Sequence, residues 1–186
     1  YIIKDTLHFD FPIIPINDSI VTLELFHGPT MSFKDIGAGF MARCLGYFNR
    51  KNNNKHTVLV ATSGDTGAAA ISALKDKKNI NIFVLHPHEK ISSVQRKLMT
   101  TCDAKNVFNL AVKGNFDDCQ KTVKQMFNDE KFREKINMSG VNSINWARII
   151  CQIIYYFYAY FKVSSEVNFS VPTGNFGDVY AGYIAK

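Results

Sequence analysis

From Thr57 onward the apolar positions change period in regular alternation along the chain. "TVLVA" (57–61), "INIFVLH" (80–86) and "VFNLAV" (107–112) are short β-branched runs that read as strands. Helical spacing follows each of them: an alanine-rich segment from Thr66 to about Leu74, "ISSVQRKLMTT" (91–101), and "FDDCQKTVKQMFND" (116–129). In the last of these Phe116, Cys119, Val123, Met126 and Phe127 fall on one face. "IICQIIYYFYAYF" (149–161) is too short to span a membrane and too aromatic to be exposed, so it reads as a core helix. "VNFSVP" (167–172) reads as a fourth strand, followed by a glycine-rich turn and a final helix. Strands separated by helices imply an α/β fold: an open, mainly parallel sheet with helices on both faces.

Upstream, a helical projection of Phe33 to Phe48 gathers Phe33, Gly37, Phe40, Met41, Cys44, Leu45 and Phe48 into an apolar stripe, with Asp35, Arg43, Asn49 and Arg50 largely away from it. Lys34 falls inside that stripe, between Met41 and Leu45. A lysine on a buried face loses hydration, which lowers its pKa and frees its lone pair for nucleophilic attack or imine formation. Two loops share the pattern Gly-[Asp/Asn]-x-Gly, "TSGDTG" (62–67) and "PTGNFG" (172–177), and each follows a strand and opens a helix. Unpaired N–H groups at such a turn, with the positive end of the helix dipole, form an anion site. The plain alternative for either loop alone is a tight β–α turn. Neither loop fits a P-loop or a G-x-G-x-x-G dinucleotide fingerprint. A lysine on an apolar face beside two anion-binding turns suggests a pyridoxal phosphate Schiff base.

Composition narrows the field without naming a chemistry. The 186 residues are 46% hydrophobic and 20% charged, an ordinary globular balance. The net charge of +6 is interleaved with acidic residues, with no basic block of the kind that binds nucleic acid. The four cysteines are far apart without C-x-x-C spacing, so a zinc site is not expected and reduced thiols of a cytoplasmic protein are. "HPH" (86–88) has no third ligand nearby and reads as loop histidines. No membrane-spanning run or signal peptide is visible. Tyr1 in place of an initiator methionine, and a last helix that stops in mid-stride at Lys186, lead to the expectation of a piece of a longer protein.

"ELFHGPTMSFKD", "VATSGDTGAAA", "NSINWAR" and "SVPTGNFGD", in that order, resemble the threonine synthase family, within the tryptophan-synthase-β-like, fold type II pyridoxal phosphate enzymes. The resemblance covers the chain from about Thr22 to its end. It implies two lobes incomplete at both ends: 1–51 and 141–186 as parts of a large cofactor-binding domain, 52–140 as a smaller mobile α/β domain. It implies that Lys34 is the Schiff-base lysine and acid/base, and that Gly174, Asn175, Phe176, Gly177 and Asp178 cradle the cofactor phosphate. Thr62, Ser63, Gly64, Asp65 and Thr66 match the loop that binds the substrate carboxylate and faces the cofactor ring; Asp65 stands where many fold type II enzymes carry asparagine. Asn142, Ser143 and Arg148 match groups that grip the substrate phosphate. Arg148 as a surface charge, and Asn142 or Ser143 as a helix cap, are the alternatives. The implied reaction is O-phospho-L-homoserine plus water to L-threonine plus phosphate, by a monomer or homodimer. Two other readings stay open: a different fold type II lyase (a dehydratase or phospholyase), and a non-enzymatic phosphate- or nucleotide-binding α/β domain.

Overall fold

The β-branched runs pair side by side in the computed structural model, which describes residues 2–52, 54–141, 145–163 and 166–186. In chain order the elements are α1 (Ile2–Thr6), β1 (Ile13–Asn17), β2 (Ile20–Leu23), α2 (Lys34–Asn52), β3 (His56–Ala61), α3 (Asp65–Leu74), β4 (Ile80–Pro87) and α4 (Ser93–Thr100). They continue with β5 (Val107–Val112), α5 (Phe116–Asn128), α6 (Glu130–Lys135), β6 (Met138–Gly140), α7 (Trp146–Val163) and α8 (Gly177–Ala185). β1 and β2 form an antiparallel hairpin. The main sheet runs β5-β4-β3-β6 with every neighbouring pair parallel.

Strand alternation sends successive side chains to opposite layers. Val58 and Val60 of β3, with Ile82 and Val84 of β4, pack against Met41 and Ala42 of α2, Ala68, Ile71 and Leu74 of α3, and Met99 of α4. Leu59 and Leu85 point the other way, onto Cys119 and Val123 of α5. Burying each such side chain contributes about 1.5–3 kcal/mol, so both layers are anchored independently. Local signals set where the helices begin. Ser92 caps α4 by accepting the Gln95 N–H, and Asn115 with Asp118 closes a capping box on α5. β4 and β5 lie to one side of β3 and β6 to the other. The connections therefore diverge at the carboxyl end of β3, the place where open parallel sheets leave a crevice.

A third cluster lies beyond the sheet: Cys151 and Tyr155 of α7 pack on Ile36 of α2, with Leu23, Leu25 and Phe33 around them. Burial, with Cys44 beside it, pushes the Cys151 thiol up to about 12. No helix among the described residues is long and apolar enough to cross a membrane.

Four expectations are corrected. Residues 167–172 form no strand, because a strand exists only in a ladder and none of the described strands pairs with them; Phe169 instead packs edge-on against Tyr156. Asp35 is buried, not solvent-facing: its carboxylate accepts from the Thr30 N–H at 2.9 Å and the Thr30 hydroxyl at 2.6 Å. One end of the α2 stripe lies outside the core, with Phe48 56% exposed, while Phe33 precedes the helix and packs against the third cluster. α7 is buried on one side only, and Trp146, Ile150, Ile154, Phe157 and Phe161 stand exposed along the other. His86 is a smaller revision: it is a buried strand residue of β4, with only His88 past the strand end.

Candidate active site

Lys34 opens α2 at the end of a loop pinned at three points. Asp35 holds Thr30, the Ser32 hydroxyl accepts the Lys34 N–H at 3.1 Å, and the Tyr155 hydroxyl of α7 donates to the Phe33 carbonyl at 2.8 Å. Burial drives the Tyr155 phenol well above its usual range, with Cys151 adding to the effect, so it stays a donor at any physiological pH. The Lys34 side chain is not sealed in the apolar stripe. It is 22% exposed, with Nζ 3.3 Å from Asp65 Oδ2 and 4.5 Å from the centre of the Phe33 ring. The helical projection placed Lys34 inside the apolar stripe, whereas from the first turn of α2 its side chain reaches out of the stripe to Asp65 of α3.

The loop after β3 is organised by Thr62, which is 2% exposed. Its hydroxyl accepts the N–H groups of Gly64 and Gly67, both at 2.9 Å, which turns the chain sharply into α3. Gly64 sits at φ 144°, a conformation that side chains rarely adopt, and a Cβ there would lie 2.4 Å from Gln95 Cδ. Thr62→Val keeps the shape but leaves two buried N–H groups without an acceptor. The expected cost is about 1–3 kcal/mol for each group not rescued by water, read as a lower urea midpoint at unchanged m-value.

The second glycine turn enters α8 through Phe176, which takes the left-handed conformation at φ 56°. Asp178 accepts from the Thr173 hydroxyl and from the Val179 N–H, so its carboxylate braces the turn. The first turn of α8 leaves backbone N–H groups without helical acceptors. Nothing lies within 4 Å of where a Cβ on Gly174 would sit. α7 fixes this turn as well, through the Tyr156 hydroxyl, which donates to the Asp178 carbonyl at 2.7 Å.

These parts meet in one cleft of about 720 Å³ at the carboxyl end of β3. Its walls include Lys34, Thr62, Ser63, Asp65, Thr66, Arg148, Gly174, Asn175, Gly177 and Asp178. Of the remaining sequence-picked residues, Gly64 shapes the turn from behind, Phe176 points outward at 65% exposure, and Asn142 and Ser143 lie outside the described residues. Arg148 is the least expected member, at 3% exposed. Its Nε and Nη1 are buried with no hydrogen-bond partner among the described residues. Burial lowers its pKa from the ordinary value, with Tyr155 opposing. An unpaired buried guanidinium costs several kcal/mol unless an anion completes it. A surface-charge role for Arg148 is thereby ruled out. Sequence reasoning missed Gln95, which donates to Asp65 Oδ1 at 2.8 Å, and the wall of α5 formed by Phe116, Gln120 and Lys124. Of that wall only Phe116 was read from the sequence, as part of the apolar face of the helix; Gln120 and Lys124 were passed over as polar positions.

An amine paired with a carboxylate, two helix-opening turns and a buried guanidinium whose Nε and Nη1 have no partner among the described residues surround one cleft, an arrangement suited to anionic ligands. The chain belongs to the pyridoxal-phosphate-dependent enzyme family, whose model matches residues 16–185. Within that family it is similar to the threonine synthase of Pseudomonas aeruginosa, 47% identical over 178 residues, covering 94% of this chain and 38% of that protein. Among solved structures it resembles the Escherichia coli threonine synthase, with TM-score 0.90 and 41% identity over 98% of this chain and 43% of that one. The pyridoxal-phosphate-bound threonine synthase of Brucella melitensis matches with TM-score 0.86 and 47% identity, over 94% of this chain and 38% of that one. The chain thus spans well under half the length of these relatives.

The residues present fit the family's cofactor. Lys34 Nζ is a primary amine on the cleft wall, the α8 turn offers backbone donors to a phosphate, and the cleft volume lies within the usual range for ligand pockets.

Proposed function

We propose that the protein containing this chain converts O-phospho-L-homoserine and water to L-threonine and phosphate. The observation that carries this reading is Arg148. The α8 turn and the β3–α3 turn provide anion sites for a cofactor phosphate and a substrate carboxylate. Arg148 adds a third, in the form best matched to a phosphate by its forked donors. A dehydratase acting on an unphosphorylated amino acid has no use for that cation.

In this reading Lys34 would hold pyridoxal phosphate through Nζ, Gly174, Asn175 and Gly177 would bind its phosphate, and Asp65 would face its ring. When bound, the cofactor supplies an electron sink that lets protons leave carbons otherwise too weakly acidic. Released from that bond by the substrate amine, Lys34 Nζ takes the proton from Cα and serves as the proton carrier at Cβ and Cγ. Arg148 neutralises the phosphate as the Cγ–O bond breaks. Cγ gains a proton to become the methyl group, and the hydroxyl from water ends on Cβ. Thr62, Ser63 and Thr66 hold the carboxylate throughout and fix the orientation of the carbon chain. We assign residues 1–51 and 141–186 to a cofactor-binding lobe and 52–140 to a lobe that swings its turn onto the substrate, excluding water until Cβ is ready for attack.

The test is product analysis on the full-length protein loaded with pyridoxal phosphate. O-phospho-L-homoserine is expected to yield threonine and phosphate in equal amounts. Release of a 2-oxo acid and ammonia from threonine or serine, with O-phospho-L-homoserine inert, would replace this reading by a dehydratase.

A further inference from the structure

Asp65 carries two separate attachments, one on each oxygen. Oδ2 pairs with Lys34 Nζ at 3.3 Å, and Oδ1 accepts from Gln95 Nε2 of α4 at 2.8 Å. Gln95 is itself held by Ser92, through its side-chain oxygen and its backbone N–H. The Ser92 hydroxyl donates to Gln95 Oε1 at 2.9 Å, and the same hydroxyl accepts the Gln95 N–H at 3.2 Å. The carboxamide also fills the space beneath the left-handed Gly64, where a Cβ would be 2.4 Å from Gln95 Cδ.

The Asp65 side chain is 44% exposed, so solvent competes for both of its oxygens. A carboxylate free to rotate toward water holds an ammonium weakly. Fixing one oxygen restricts the torsion and leaves the other facing Lys34. A neutral donor does this without bringing a second cation to share the charge of Asp65. Glutamine suits that task; arginine or lysine at the same place would compete with Lys34 for the carboxylate.

We propose that Gln95 is a positioning residue that orients Asp65 toward Lys34, so that α4 sets the placement of the reacting amine. The proposal rests on Lys34 being that amine. It predicts that the effect of Gln95 passes entirely through Asp65.

The experiment uses full-length enzyme cleared of cofactor. Pyridoxal phosphate is added, samples are treated with borohydride at timed intervals, and the modified peptide is identified and quantified by mass spectrometry. Gln95→Met is expected to slow capture at Lys34 by about tenfold, the scale of one hydrogen bond to a charged group. With Asp65→Asn already present, adding Gln95→Met is expected to change the rate by less than about twofold. Gln95→Leu, which also lacks the donor and carries no charge, makes the same comparison if Gln95→Met lowers the melting temperature. Wild-type rates in the Gln95 variants, or equal slowing in both backgrounds, would overturn the proposal while leaving Lys34 in its role. Capture at a different lysine would overturn the reading beneath it and the proposal together. Capture at Lys34 with the predicted coupling, but no phosphate from O-phospho-L-homoserine, would support the positioning role and defeat only the assigned reaction.

Discussion

Replacing Lys34 by alanine in the full-length protein is expected to lower turnover by at least about 10⁴-fold, because in the proposed reaction one side chain would supply both the covalent anchor and the proton carrier. No neighbour among the described residues can take over. Asp65 is within reach of the same space, but as a carboxylate it cannot form the bond to a carbonyl that the amine forms. Lys124 on the opposite wall belongs to α5, on the far layer of the sheet. The fold is expected to survive the change. The Lys34–Asp65 pair is 22% and 44% exposed, and an ion pair this open is worth about 0–1 kcal/mol. The signature is therefore a dead enzyme with a melting temperature close to wild type. Loss of activity together with a large drop in melting temperature would mean that Lys34 is structural.

Arg148→Met is expected to act in the opposite thermodynamic sense. It removes a buried cation whose Nε and Nη1 have no partner among the described residues, and leaves an apolar chain of similar reach. Stability is expected to hold or rise, since replacing buried charge by a well-packed apolar group is often neutral or stabilising by about 1–4 kcal/mol. Binding of the phosphorylated substrate is expected to suffer. Two charge-assisted hydrogen bonds at about 1.5–3 kcal/mol each correspond to a loss of about 10²- to 10⁴-fold in kcat/KM. Thermal melts and steady-state kinetics on one preparation separate the two effects. A destabilised variant with unchanged kcat/KM would show that Arg148 serves the fold and not the substrate.

The layered sheet was legible because its strands are short, nearly continuous apolar runs bounded by turns and helices, as in "TVLVA" and "VFNLAV". β6 was not: three residues, "MSG", have no period to read, and only pairing with Thr57, Val58 and Leu59 makes them a strand. The converse error at 167–172 has the same cause, since an alternating run is a strand only where a neighbour accepts its hydrogen bonds. In the site, Lys34 and both glycine turns stood out by residue type, although only the first turn follows a described strand. Arg148 was placed by resemblance, and its burial is a tertiary fact. The tyrosines of α7 were read as apolar bulk. Adjacent positions on a helix point about 100° apart, and this sends the Tyr155 hydroxyl to the Lys34 loop and the Tyr156 hydroxyl to the α8 turn. Gln95 was legible only as the last position of a Ser-x-x-Gln helix-start pattern, and its contact with Asp65 is a tertiary fact.

The most direct measurement of the central claim is the visible absorption spectrum of the full-length protein with pyridoxal phosphate, before and after O-phospho-L-homoserine, with Lys34→Ala alongside. The account predicts a visible band of the cofactor joined to Lys34, absent in the variant, that shifts with substrate as phosphate is released. The same band in Lys34→Ala, or none in the wild type, would contradict it.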